Sequence, residues 1–116
     1  MAKYEDHLAS GFEEAADWLH QYILRDSLSA KLEDETMWQY GNVLCLTRVY
    51  ERYSWLGGNR LTLTLNLFGR DGDVRLSAIT SGGSKAVFFK INILGEGAFL
   101  DSLIRGVEKF KRKYAR

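Results

Sequence analysis

The chain has 116 residues, 46% hydrophobic and 27% charged, with a net charge of +1. That is the profile of an ordinary soluble globular domain, long enough to bury a core without disulfide staples. The near-neutral balance disfavours nucleic acid and anionic membrane as partners. Cys45 is the single cysteine, which excludes an intrachain disulfide and a cysteine-based metal site and fits a reducing cytoplasm.

Lys3–Leu8 is read as a short first strand. Ser10 and Glu13 have the spacing of a capping box, and Phe12, Ala15, Ala16, Leu19, Tyr22 and Ile23 recur at helical spacing, so a helix is expected over residues 11–26. Residues 29–40 are read as a second strand whose acidic run, Glu33-Asp34-Glu35, suits a solvated strand edge or a loop. Val43–Tyr53 is strongly β-prone and forms a third. Residues 1–41 hold nine acids and three bases, net −6, and the remainder is net +7. Solvated acidic and basic faces account for that asymmetry most simply.

The clearest signal lies in residues 61–93. Leu61, Leu63, Leu65 and Leu67 alternate with polar residues, and Asp71-Gly72 and Gly82-Gly83 are suited to two-residue hairpin turns. The first turn sets Leu67 opposite Leu76 and Leu65 opposite Ala78. The second would set Ala78, Leu76 and Val74 opposite Val87, Phe89 and Ile91 of a final strand over Ala86–Ile93. One apolar face results, for both helices to cover. At Gly57-Gly58 a two-residue turn would bring Arg48, Tyr50 and Arg52 onto that face. A longer loop or bulge, placing Val49 opposite Leu67, is expected instead, and without it Arg48 becomes a buried cation needing a partner. A closing helix follows Gly95 and Gly97, with Phe99, Leu100, Leu103, Ile104, Val107, Phe110 and Tyr114 as its stripe.

Candidate sites are few. Thr80-Ser81-Gly82-Gly83-Ser84-Lys85 has the makings of an anion cradle, but it joins two strands, and a polar hairpin explains it more simply. Arg48 and Trp55 are candidate ligand contacts together with Ser81, Gly82, Gly83, Ser84 and Lys85. The opposite sheet face carries Phe68, Arg75, Ile79, Phe88 and Lys90, with Arg75 between Phe68 and Lys90. Aromatics interleaved with bases resemble RNA-binding sheets, yet no aromatic signature run is present, and self-association suits an apolar patch better. Trp18, Trp38 and Trp55 are read as packing residues, the last two also as candidates to rim a cavity. His7 and His20 are too far apart for a helical metal pair, His20 is placed at the surface, and no catalytic residue, metal ligand or cofactor is assigned.

The blocks Arg48–Arg60 and Ser77–Asn92 resemble the two hallmark segments of a small bacterial family classified only as a domain of unknown function. The resemblance implies a cytoplasmic bacterial protein and transfers no functional residue. The fold expected is α+β: one domain, an antiparallel sheet of five or six strands in β-α-β-meander-α order with two helices on one face. The order is similar to TATA-binding-like and helix-grip-like topologies. The expected function is a binding or interaction module, more a binder than an enzyme, forming a homodimer through the open sheet face. The alternative is a small-molecule pocket between the sheet and the closing helix.

Overall fold

The computed structural model describes residues 2–53, 60–82 and 96–114. Its strands are β1 (Ala2–Leu8), β2 (Lys31–Tyr40), β3 (Val43–Tyr53), β4 (Arg60–Arg70) and β5 (Asp73–Gly82). Its helices are α1 (Phe12–Arg25) and α2 (Glu96–Lys113). The strands form one antiparallel sheet in the order β1-β5-β4-β3-β2, with both helices on one face, an α+β fold.

The leucine strand behaves as its alternation requires. Leu61, Leu63, Leu65 and Leu67 are fully buried, as are Val74 and Ala78, while the residues between them face away. Asp71-Gly72 makes the expected turn, with Arg70 opposite Asp73, Leu67 opposite Leu76 and Leu65 opposite Ala78. Gly72 takes φ +89, open to glycine without a steric penalty. The stripe of α1, Phe12, Ala15, Ala16, Leu19 and Ile23, meets Phe99, Leu103, Val107 and Phe110 of α2 over this face.

Three expectations are corrected. First, α1 has no capping box. Gly11 is the N-cap, Ser10 Oγ turns to the Gly11 carbonyl, and the Phe12 N–H donates to Asp71 Oδ1 at 2.8 Å. The β4–β5 turn thus caps α1 across the fold, helped by Gly72 N–H donating to the Ser10 carbonyl at 2.8 Å.

Second, the bulge that would have moved Arg48 off the leucine face does not form. Tyr53 pairs with Arg60, so residues 54–59 connect β3 to β4, and Leu46, Arg48, Tyr50 and Arg52 oppose Leu67, Leu65, Leu63 and Leu61. The expected pair Val49–Leu67 is replaced by Val49–Thr64. Burying Leu46 and Tyr50 decides the register, and both are buried. The arginines come with them and find partners, Arg48 on Glu35 Oε1 at 2.9 Å and the Ala16 carbonyl at 3.1 Å. Arg52 lies 4.5 Å from the Phe99 ring centroid, and burial holds its pKa below the ordinary value.

Third, the outer edge of β5 belongs to β1. Tyr4, Asp6 and Leu8 oppose Ala78, Leu76 and Val74, the positions expected for Val87, Phe89 and Ile91. The strand expected over Ala86–Ile93 lies outside the described residues. Asp6 interrupts the apolar side of β1 and ties it to α2 through Lys111 Nζ at 3.0 Å. Burial opposes its charged form, but the Tyr4 hydroxyl, the His7 N–H and Lys111 hold its pKa below the usual carboxylate range.

Candidate interaction face

Both described helices lie on the leucine side, and among the described residues no element covers the other face of the sheet. Strand alternation assigns it Lys3, Glu5 and His7 from β1, and Asp73, Arg75, Ser77, Ile79 and Ser81 from β5. From β4 it receives Arg60, Thr62, Thr64, Asn66 and Phe68. The β2–β3 hairpin, turned at Gly41-Asn42, adds Cys45, Thr47, Val49, Asp34, Thr36, Trp38 and Tyr40.

The registers line these residues up in rows across the sheet. One row runs Trp38, Cys45, Phe68, Arg75, His7. The next runs Thr36, Thr47, Asn66, Ser77, Glu5, and the third Asp34, Val49, Thr64, Ile79, Lys3. β4 is the middle strand of every row. Phe68 is 51% exposed, Trp38 73% and Tyr40 90%. Large apolar side chains held in water on one face mark an interaction surface more often than an isolated exposed residue does. An open depression of about 510 Å³ lies beside Phe68, lined also by Glu5, His7, Asn66, Arg75 and Ser77.

Several polar members of the face pair with one another. Thr47 Oγ1 donates to Asn66 Oδ1 at 2.6 Å, and the Thr62 and Ser81 hydroxyls bond at 2.7 Å. His7 Nε2 lies 2.6 Å from Asp73 Oδ1, and Arg75 Nε 3.7 Å from the same oxygen. The His7 hydrogen bond, then Arg75, hold the Asp73 pKa below the usual range. Glu51 is buried on this face and accepts two bonds from Arg60, at 3.0 and 2.5 Å.

Phe68, Arg75 and Ile79 therefore share a face, with Phe68 directly opposite Arg75. The expected neighbour of Arg75, Lys90, is replaced by His7; Lys90 and Phe88 lie outside the described residues. The ligand candidates do not converge. Arg48 is under the helices, whereas Ser81 is on the open face and bonded to Thr62. Gly82 pairs with Leu61 at φ +111, where a Cβ would collide with the Arg60 carbonyl oxygen. Close backbone approach accounts for that glycine. Trp55, Gly83, Ser84 and Lys85 lie outside the described residues. Trp38, expected to pack or rim a cavity, stands in solvent.

A polar cluster under α1 was not anticipated. His20, expected at the surface, is half-buried, its Nδ1 2.7 Å from the hydroxyl of the fully buried Tyr50. Burial pushes the Tyr50 pKa up to about 12, so the phenol stays protonated and donates. Burial first, then Arg48, lowers the His20 pKa, leaving a neutral ring that accepts through Nδ1. These groups satisfy one another, as buried polar groups must.

A five-stranded antiparallel sheet with two helices, an α+β fold, defines the structural class. Residues 1–111 match the family of unknown function DUF6054, and the chain belongs to that family. A search of curated proteins finds no match. Among solved structures, the chain is similar to the crystal structure of the Thermus thermophilus protein TTHA0849. The two share 10% identity over 93% of this chain and 94% of that one, with a TM-score of 0.33. A likeness of that strength carries no argument about function. Among the described residues no helix is long and apolar enough to cross a membrane, and no group of three metal-binding side chains occurs.

Proposed function

We propose that this chain is a binding module whose open sheet face pairs with the same face of a second copy. The observation that carries the reading is the row Trp38–Cys45–Phe68–Arg75–His7, centred on the middle strand. A two-fold axis lying between two such sheets and parallel to β4 maps each row onto itself, reversed. Phe68 then meets Phe68 of the second copy, and Trp38 comes over the His7 ring, next to the Arg75 guanidinium, one aromatic ring against another beside a cation. The same operation sets Asp34 over Lys3 and Thr36 over Glu5. The Asp34–Lys3 pair is complementary, while Arg60 and Arg70, which the axis sets over their own copies, lie beside Glu51 and Asp73 of the same chain.

The size is adequate. Five strands about 4.8 Å apart span about 19 Å, and eight residues per strand run about 26 Å, a footprint near 500 Å² in projection. Side-chain relief brings this toward the roughly 800 Å² per partner of a standard interface. The alternative, a small-molecule pocket between the sheet and α2 approached by Arg48, has weaker support, because Glu35 and the Ala16 carbonyl engage Arg48. Size-exclusion chromatography with light scattering tests the dimer. The wild type is expected at twice the 13.3 kDa chain mass and Phe68→Asp at the single mass with an unchanged circular dichroism spectrum. A wild type that runs as a monomer at every concentration overturns the reading.

A further inference from the structure

The outer side of the helical layer carries a second feature, independent of the open face. α1 and α2 run antiparallel, joined at one end by Ser102 Oγ and Arg105 Nη2 donating to Asp26 Oδ2. Further along, Trp18 Nε1 donates to the Gly106 carbonyl at 3.0 Å. Gly106 sits at the floor of the groove, the Tyr22 ring directly against it. One wall is aromatic, Trp18 and Tyr22 at i and i+4 on α1. The other is cationic, Arg105, Lys109 and Lys113 at successive i+4 positions on α2, one stripe of that helix.

Lys109 Nζ lies 5.5 Å from the Tyr22 ring centroid, and Lys113 Nζ 5.6 Å from that of Trp18. Among the described residues neither lysine, nor Arg25 at the mouth, has a carboxylate partner. The one acid lining the groove, Asp26, is occupied by Ser102 and Arg105. Glu108 points elsewhere, close enough to Tyr4 on β1 to act on its hydroxyl, and Lys111 reaches Asp6 on the same side. The depression between the walls measures about 310 Å³, lined by Trp18, Tyr22, Arg25, Asp26 and Lys109. That is the lower end of the range of small-ligand sites, right for one planar ring with a charged group.

We infer that this groove binds a nucleobase carrying a phosphate. The base takes the place that the Lys109 and Lys113 ammoniums hold over the Tyr22 and Trp18 rings, and the phosphate draws those displaced cations and Arg25 to itself. Stacking plus cations is how sheets and grooves hold unpaired nucleotides regardless of base identity. A free nucleotide and the exposed end of a single strand share this chemistry. The groove and the open face lie on opposite sides of the molecule, so the failure of one inference leaves the other standing.

The test is a nuclear magnetic resonance titration of the nitrogen-15-labelled protein. The probes are adenosine monophosphate, adenosine, inorganic phosphate and a short oligothymidylate. The Trp18 indole N–H, identified from a Trp18→Phe sample, and the Gly106 amide are the reporters. Adenosine monophosphate is expected to shift both saturably, and adenosine or phosphate alone to bind at least tenfold more weakly. Lys109→Glu with Lys113→Glu, both exposed, is expected to cut the affinity at least tenfold with the melting temperature retained. Tighter binding of the oligothymidylate supports a strand end as the natural source, and tighter binding of the mononucleotide supports a free nucleotide. No saturable shift of Trp18 with either, or charge-reversed protein binding as tightly as wild type, overturns the inference.

Discussion

Replacing Gly106 by alanine sets two effects of known size against each other. Alanine is favoured over glycine inside a helix by about 1 kcal/mol, so an isolated α2 would gain stability. In the folded chain the new Cβ would stand 2.7 Å from Tyr22 Cδ1, 2.9 Å from Cγ and 3.2 Å from Cε1. Carbon atoms prefer about 3.5 to 4.0 Å, so the ring must retreat by nearly 1 Å. Cγ is fixed directly to the Tyr22 backbone through Cβ, so rotating the ring tip brings no relief, and the helices themselves must part. Overpacking of this kind costs about 1–3 kcal/mol, and parting also stretches the Trp18–Gly106 hydrogen bond, worth about 1 kcal/mol. The clash wins, and Gly106→Ala is expected to destabilise by about 1–2 kcal/mol. Urea unfolding at one protein concentration, followed by circular dichroism, measures it. In a Tyr22→Ala background the obstacle is gone, and the same substitution should stabilise by up to about 1 kcal/mol. A stabilising Gly106→Ala in the wild-type chain would refute the close approach of α1 to α2.

Two further perturbations probe contacts between distant parts of the chain. Asp71→Ala removes the acceptor at the N-terminus of α1 and is expected to cost about 1 kcal/mol in urea unfolding, with Asp71→Asn losing much less. Equal losses for the two would show that Asp71 does not act as a cap. His20 titrates below its ordinary 6.5 in the folded state. Its unfolded form therefore takes up a proton first, so its contribution is complete above about pH 6.5 and declines as pH falls toward the native pKa. His20→Gln should flatten the fall of stability that sets in as pH drops below about 6.5, and a wild-type slope that survives the substitution would sink that assignment.

What could be read from the residues follows the range of the interactions. The Leu61–Leu67 alternation and the Asp71-Gly72 turn are local signals that agree with each other, and β4, β5 and their register follow from them. The α1 stripe is local too. The cap of α1 is not, since its acceptor is Asp71, far along the chain, while Ser10 offers a plausible local substitute. Val43–Tyr53 carries apolar residues on both sides, Leu44, Leu46 and Tyr50 against Cys45 and Val49, so alternation cannot orient it. The tertiary gain from burying Tyr50 decides, and two arginines are carried inward. The edge of β5 is taken by β1 through a pairing of distant segments that no turn residue encodes. Phe68, Arg75 and Ile79 are legible from parity on the well-defined strands. Trp38 and Tyr40 are not, because β2 is polar through Thr36 and a register shift between Leu32 and Asp34 resets its alternation.

The two-fold pairing of open faces makes one demand that adventitious aggregation does not. Lys3 of each copy must face Asp34 of the other. Sedimentation equilibrium on Lys3→Glu, Asp34→Lys and the double variant measures this directly. Each single reversal sets like charges opposite one another at two symmetric places and is expected to weaken the dimer at least tenfold. The double variant, with both pairs restored in reversed sense, recovers the wild-type dissociation constant. A double variant as weak as the sum of the two singles, or singles that dimerise as the wild type does, would contradict the account.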